Sequence, residues 1–248
     1  MKLWYASGAG PRLRSGLVLL GAAIILALGL APQAWAQEVI RSRLDKGEVI
    51  VSAKEVPGSS VKHAEMTGII NAPPEVVWRV ITDVNDFKYF MPRTLNSMAV
   101  APEKVAEIVQ KKPTGAKEVE KLLGSTFVDP STYRLPGGKY TVYHYSDLSL
   151  PWPCSNRWFI LKGIQDETQA AQHRYHTSWS LVIGNLKTNS GEWILEPYGN
   201  NQTKAIYRLN TDPGGAIPGF LVKEGTCSTM PAIIQAVRER AAKLCMLK

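Results

Sequence analysis

From Lys139 onward the chain alternates apolar and polar residues in short runs. The pattern predicts strands over Tyr140–Leu148, Arg157–Ile164, Gln172–Ile183, Gly191–Glu196 and Thr203–Thr211. Turn residues at Gly184-Asn185, Asn189-Ser190-Gly191 and Gly199-Asn200-Asn201 separate the later strands. Links this short join antiparallel neighbours, so a meander is expected. Upstream, Glu48–Ala53 and Val61–Ile70 read as strands, after a poorly anchored start within residues 37–60. A helix follows, with Pro73 and Pro74 in its first turn and an apolar stripe of Val76, Val77, Val80 and Ile81. Asp83–Tyr89 continues as a short helical turn ended by Pro92, and Thr94–Val100 is a strand. Residues 102–124 carry two helices broken at Pro113-Thr114-Gly115, and Ser125–Gly138 is loop. A last helix begins near Pro218. Met230, Ile233, Ile234, Val237, Ala241 and Leu244 share one side of it, opposite Gln235, Arg238, Glu239 and Lys243. Pro231 removes a backbone donor inside it and is expected to kink or restart it.

Strands, helix, helical insert, many strands and a long amphipathic helix make an α+β order, with helices set against an antiparallel sheet. A sheet curving around the last helix gives its apolar stripe a partner and can leave a space between them. Alternation says which side chains face that space. Ala205, Tyr207 and Leu209 share a face against Lys204, Arg208 and Asn210. Trp193 and Leu195 oppose Glu192 and Glu196, and Trp179 and Leu181 oppose His176, Ser178 and Ser180. A packed core accounts for these faces as well as a cavity does. Arg157 shares its face with Phe159 and Leu161. An inward arginine is costly unless paired, so it either snorkels from the strand end or meets a polar group inside.

The N-terminus changes the picture of where this domain works. Lys2, Arg12 and Arg14 precede an uncharged, largely aliphatic run, Leu17–Leu30, and Ala34-Trp35-Ala36 places small residues where a signal peptidase reads them. Export with cleavage after Ala36, to the periplasm, is expected; a retained N-terminal anchor is the other reading. The remaining chain suits one globular domain, with 45% apolar and 20% charged residues over the full 248. The leader holds three positive charges and no acid, so the net charge of +8 falls to +5. That charge is mild and spread out. It favours weak attraction to anionic lipid headgroups, and no basic helix, zinc spacing or aromatic-basic motif speaks for nucleic acid. Lys111, Lys112, Lys117 and Lys121 make the insert locally basic, as a solvated helix face or a membrane-facing patch. Cys154, Cys227 and Cys245 lie beyond the leader. On one helix Cys227 and Cys245 stand about 27 Å apart, beyond disulfide reach. Cys154–Cys227 is then the more interesting pair, and three buried thiols are the other reading.

Catalytic signatures are missing from the sequence: no Gly-x-Ser-x-Gly, His-Glu-x-x-His, Cys-x-x-Cys or glycine-rich dinucleotide loop. Gly137-Gly138-Lys139 lacks the spacing of a phosphate loop, and His173 and His176 have opposite strand parity, against a shared metal site.

Three segments together resemble the START-related lipid-binding domains of the helix-grip superfamily. They are GIINAPPEVVWRVITDVNDFKYFMP (Gly68–Pro92), LPWPCSNRWFILKG (Leu150–Gly163) and YRLNTDPGGAIPGFL (Tyr207–Leu221). With the strand series the likeness spans roughly residues 60–245. It implies a helix-grip fold, with a curved antiparallel sheet wrapped around the long C-terminal helix. It implies a tunnel for a lipid or other apolar small molecule, without cofactor, and carriage rather than catalysis. Combined with alternation, it nominates Arg157, Phe159, Leu161, Trp179, Leu181, Trp193, Leu195, Tyr207, Leu209, Ile233 and Val237 as ligand-facing. Trp152, Pro153 and Phe220 would form a gate. Arg157 matches an arginine that supplies a polar spot in relatives. Trp158 replaces the aspartate that follows it there, which leaves His144 or Asp147 to pair with it. The insert is atypical and is expected to alter the entrance. Some helix-grip relatives are cyclases or hydratases, so an acid–base set of Tyr143, His144, Tyr145 and Asp147 is the runner-up, and a cavity-free interaction module the third reading.

Overall fold

The computed structural model describes residues 35–54, 63–150, 154–214 and 219–247, with the side chains of Lys54, His63 and residues 219–229 outside that description. The expected leader therefore lies outside it up to residue 34. Two units divide the chain, residues 1–43 and 44–248. The described part of the first lies in a helix, α1, over residues 35–45, where a loose start was expected. Its Gln-Glu-Val-Ile-Arg-Ser-Arg-Leu run contains several good helix formers.

The second unit is built on eight antiparallel strands. These are β1 (Ile50–Lys54), β2 (His63–Ile70), β3 (Thr94–Val100), β4 (Lys139–Leu148), β5 (Arg157–Asp166), β6 (Tyr175–Gly184), β7 (Thr188–Tyr198) and β8 (Gln202–Asp212). The sheet order is β1-β2-β8-β7-β6-β5-β4-β3. Strands β3 to β8 thus form the expected meander, and β8 returns to pair with β2. The fold is α+β: a curved open sheet with its helices, including a long C-terminal one.

Between β2 and β3 stand α2 (Pro74–Thr82) and the single turn α3 (Phe87–Phe90). Pro74 begins α2, where its missing N–H costs nothing, and Val76, Val77, Trp78, Val80 and Ile81 are all buried. The last helix, α6, runs unbroken from Gly219 to Met246 with Pro231 inside. Pro231 was expected to kink or restart it; the helix does not restart there, and Met230, Ile234, Val237 and Ala241 are fully buried against α2 and the sheet. Such packing outweighs one lost donor. No described helix is long and apolar enough to cross a membrane.

The insert forms α4 (Pro102–Lys111) and α5 (Ala116–Leu123). Their apolar stripes, Val105, Ile108, Val119 and Leu123, pack with Tyr145, Trp158 and Ile160. Alternation sets those sheet residues on the face opposite His144, Phe159 and Leu161. The insert therefore covers the back of the sheet and is not at the entrance.

One predicted turn is strand. Asn189-Ser190-Gly191 lies inside β7, and the reversal sits just before Thr188. A Cβ at Gly191 would come within 2.3 Å of the Arg208 carbonyl oxygen and of the Trp179 ring. This glycine is bare so that the indole can lie flat across it, which is a packing requirement rather than a turn signal.

Candidate functional site

On the face toward α2 and α6, strand register arranges the side chains in rows. One row runs Gln165–Thr177–Trp193–Tyr207–Met66 across β5, β6, β7, β8 and β2. The next runs Val142–Gly163–Trp179–Gly191–Leu209. Then come His144–Leu161–Leu181, Ser146–Phe159 and Leu148–Arg157. Most members of these rows, though not Met66, Val142, Gly191 or Leu181, floor a cavity of about 340 Å³, roofed by Ile81, Val84 and Phe87 and by Met230 and Ile233 of α6. The size falls in the range of small-molecule sites. From Gln165 to Arg157 is eight strand residues, about 26 Å.

The Gln165 end is closed. Beyond it Tyr175 pairs with Leu195, and Leu195 with Ala205. The Trp78 ring of α2 stacks on Tyr175 at 5.2 Å. The fully buried Glu167 carboxylate ties that corner: it accepts from Trp78 Nε1 (2.8 Å), Arg134 Nε (2.8 Å) and Nη2 (2.9 Å), and the Tyr140 hydroxyl (3.0 Å). Burial pushes this acid's pKa up, but the hydrogen bonds from Arg134, Trp78 and Tyr140 together hold it below its ordinary value.

At the other end the loops gather. Met91, Pro92, Arg93, Ser149, Leu150, Cys154, Leu186 and Pro213 line it. Here Arg157 is buried and its guanidinium is occupied. Nε donates to the Pro213 carbonyl (2.8 Å) and Nη2 to that of Gly214 (3.3 Å). Nη1 donates to the Ser155 carbonyl and hydroxyl (2.7 and 2.9 Å) and the Asn156 carbonyl (3.3 Å). Neither His144 nor Asp147 is its partner. The arginine latches the Asp-Pro-Gly-Gly turn to the start of β5 through backbone oxygens, acceptors a sequence does not display.

Between the ends the surface is aromatic and aliphatic with a few polar atoms. Tyr207 packs on Trp193 (4.5 Å) and Trp179 (5.4 Å). Trp179 Nε1 donates to Asn189 Oδ1 at 3.0 Å. Burial raises the Tyr207 pKa and keeps the hydroxyl neutral. His144 faces the cavity edge-on to Phe87, and burial pushes its pKa down to about 4. The folded value lies below the unfolded value near 6.5. The unfolded chain therefore binds the proton first as pH falls, and stability drains between about 6.5 and 4, then levels. Urea unfolding across that window should show the wild type losing up to about 3 kcal/mol relative to His144→Phe. Parallel stability curves would refute a buried neutral imidazole.

Of the nominated residues, Arg157, Phe159, Leu161, Trp179, Trp193, Tyr207, Leu209 and Ile233 line the cavity. Three do not. Leu195 has the right parity but sits one row too far, beneath α2. Val237 lies a turn further along α6, in the core. Leu181 pairs with Leu161 at a bulge and is only partly buried, off the lining. The gate residues Trp152 and Pro153, and the side chain of Phe220, lie outside the described residues. Cys154 carries a free thiol, and the side chain of Cys227, the other half of the expected bridge, lies outside the described residues. The acid–base quartet is not assembled: His144 faces the cavity, whereas Tyr143, Tyr145 and Asp147 point to the back. Asp147 is buried there, its pKa raised by burial and by Glu120. No metal-binding group of side chains occurs among the described residues. Sequence reading missed Thr177, Asn189 and Gln165. The predicted β5 stopped at Ile164, one residue short of Gln165, which continues the Arg157–Phe159–Leu161 face.

The family described as polyketide cyclase / dehydrase and lipid transport matches residues 70–238, well over half of the chain. An uncharacterized protein of Pseudomonas aeruginosa is 26% identical over 106 residues, covering 40% of this chain and 52% of that one. The match thus spans about half the length of that relative. Among solved structures, the STAR-related lipid transfer protein of Xanthomonas axonopodis (fragment 25–204) superposes with a TM-score of 0.56 at 20% identity, covering 78% of this chain and 93% of that one. Human StAR-related lipid transfer protein 5 gives 0.56 at 12% identity, covering 88% and 97%. These likenesses establish the fold.

Proposed function

We propose, for a chain that belongs to the polyketide cyclase / dehydrase and lipid transport family, that its cavity holds one lipid-class molecule and carries it through water. Family and fold support binding of a hydrophobic ligand. The observation that carries the narrower reading is the cavity itself: a lining dominated by apolar and aromatic side chains, about 26 Å long by strand rise, whose charged members among the described residues, Arg93 and Arg157, stand at the loop end. Carriage is preferred to catalysis because burial keeps both His144 and Tyr207 uncharged, and among the described residues neither has an acid or base beside it on the cavity face.

The ligand enters at the loop end, where α6 begins and where residues 151–153 and Phe220 would move aside as a gate. The domain works outside the cytoplasm, released from its leader after Ala36, and touches anionic membrane surfaces transiently. The test is transfer of a fluorescent lipid between donor and acceptor vesicles. Catalytic amounts of residues 37–248 should accelerate exchange. Exchange at the spontaneous rate, with no lipid bound to the protein, would refute the proposal.

A further inference from the structure

The two ends of the cavity differ in charge. Among the described residues, Arg93 and Arg157 are the only charged residues that line it, both stand at the loop end, and no acid lines it anywhere. Asp86 and Asp212, which neighbour the lining residues Phe87 and Pro213, are paired with Arg240 and Lys187. Strand register places the two arginines on opposite sides of the mouth. Thr94 pairs with Leu148 and Leu148 with Arg157, so the start of β3, just after Arg93, lies two strand spacings from Arg157, about 10 Å.

Arg157 is largely committed to protein oxygens, with one Nη2 N–H left over. Arg93 is different. It is exposed, and its guanidinium has no hydrogen bond or ion pair. Its backbone is also held in an unusual state, with φ 61°, a region that favours glycine. Thr94 N donates to the Met91 carbonyl at 3.4 Å, so Pro92 and Arg93 are the middle of a turn. The Arg93 carbonyl accepts from Ser149 N (2.9 Å) and Oγ (3.4 Å), which pins this turn to the far end of β4. Three other described non-glycine residues share a positive φ. Lys112 and His173 end helices, where this conformation is common, and Asn201 is of a type that tolerates it. Arg93 has no such local reason. A long cation stands at the cavity mouth where the turn itself would be better served by glycine, and such sites point to function.

We infer that the ligand is an amphiphile with an anionic head, a carboxylate or a phosphate, which Arg93 engages at the cavity mouth while the tail runs inward past Phe159 and Leu161 to the closed end. This rests on the reading of the cavity as a lipid site. A planar guanidinium presents paired donors that match either oxyanion. Arg157 adds a fixed positive charge across the mouth. A cationic head would meet two like charges there, and a neutral head would forgo the charge-assisted bonds.

The test uses four probes of equal chain length, each below its micellar concentration at neutral pH: dodecanoate, dodecyl phosphate, dodecanol and dodecyltrimethylammonium. Affinities are read by displacement of the neutral fluorophore N-phenyl-1-naphthylamine from wild type, Arg93→Lys, Arg93→Gln and Arg93→Gly. Wild type should bind at least one of the anions about tenfold or more tightly than the alcohol, and the ammonium most weakly. The tighter of the two anions identifies the head. Arg93→Gln and Arg93→Gly should bring that anion within about threefold of the alcohol, and Arg93→Lys should keep most of the preference. Arg93→Gly should melt no lower than wild type, because glycine suits this turn better than arginine, so the lost preference is not a lost fold. Equal affinity of wild type for the alcohol and both anions would overturn the inference while leaving the carrier reading intact. So would a full anion preference surviving in folded Arg93→Gln, or tightest binding of the ammonium. Failure of all four probes to bind wild type would overturn both.

Discussion

Replacing Glu167 with alanine should lower stability by roughly 3–5 kcal/mol, the largest effect of any single substitution considered for this domain. The carboxylate accepts from Trp78, Arg134 and Tyr140, and two of those donors belong to the interior. Without it, the Trp78 indole N–H is stranded in a fully buried position and the Tyr140 hydroxyl in a half-buried one. Arg134 is half-exposed and turns to water, so it contributes little. Glu167→Gln keeps one acceptor oxygen but sets an amide N–H against the guanidinium, and should cost less, about 1–3 kcal/mol. The native carboxyl titrates below its unfolded value, so the stabilisation is complete above the unfolded pKa and lost as pH falls through the folded one. The difference between wild type and Glu167→Ala, measured by urea unfolding, should therefore shrink in acid. A difference under about 1 kcal/mol at neutral pH would mean that this corner is not what closes the cavity.

The second large effect concerns binding. The double variant Leu161→Trp/Leu209→Trp places two indoles into the middle of the cavity, from strands on opposite sides of Trp179. Both positions face a void, so the added bulk has somewhere to go and the fold should survive, at a cost of about 1–3 kcal/mol. Affinity for any long apolar probe should fall by more than tenfold. Unchanged affinity in a folded double variant would place the ligand elsewhere. The same pair separates the third reading: an interaction module with a filled interior would be unfolded by the extra rings.

Much of this architecture is written in the alternation of the strands. Parity alone faced Tyr207, Trp193, Trp179 and Arg157 toward α6, and all four line the cavity. It failed where the question was how far rather than which side. Leu195 points correctly but is roofed by α2, because alternation fixes the face of a strand and not where the next layer begins. Val237 repeats that error along the helix. Gly191 misled for a different reason: its bareness serves the Trp179 ring lying over it, a contact between strands that a local turn rule does not see. Four of the five acceptors of Arg157 are backbone carbonyls, and no side-chain pattern announces them. The insert's position was not legible either, since amphipathic helices of this length pack equally well on either face of a sheet until its back is known to be apolar.

The central claim is that a single apolar molecule occupies the space between the sheet and α6. Native mass spectrometry of the protein isolated from its own cells tests it most directly. The spectrum should show the chain carrying one small-molecule adduct that organic solvent removes, and that the Leu161→Trp/Leu209→Trp variant lacks. A bare chain mass in the gentlest conditions, identical for wild type and the filled variant, would contradict the account.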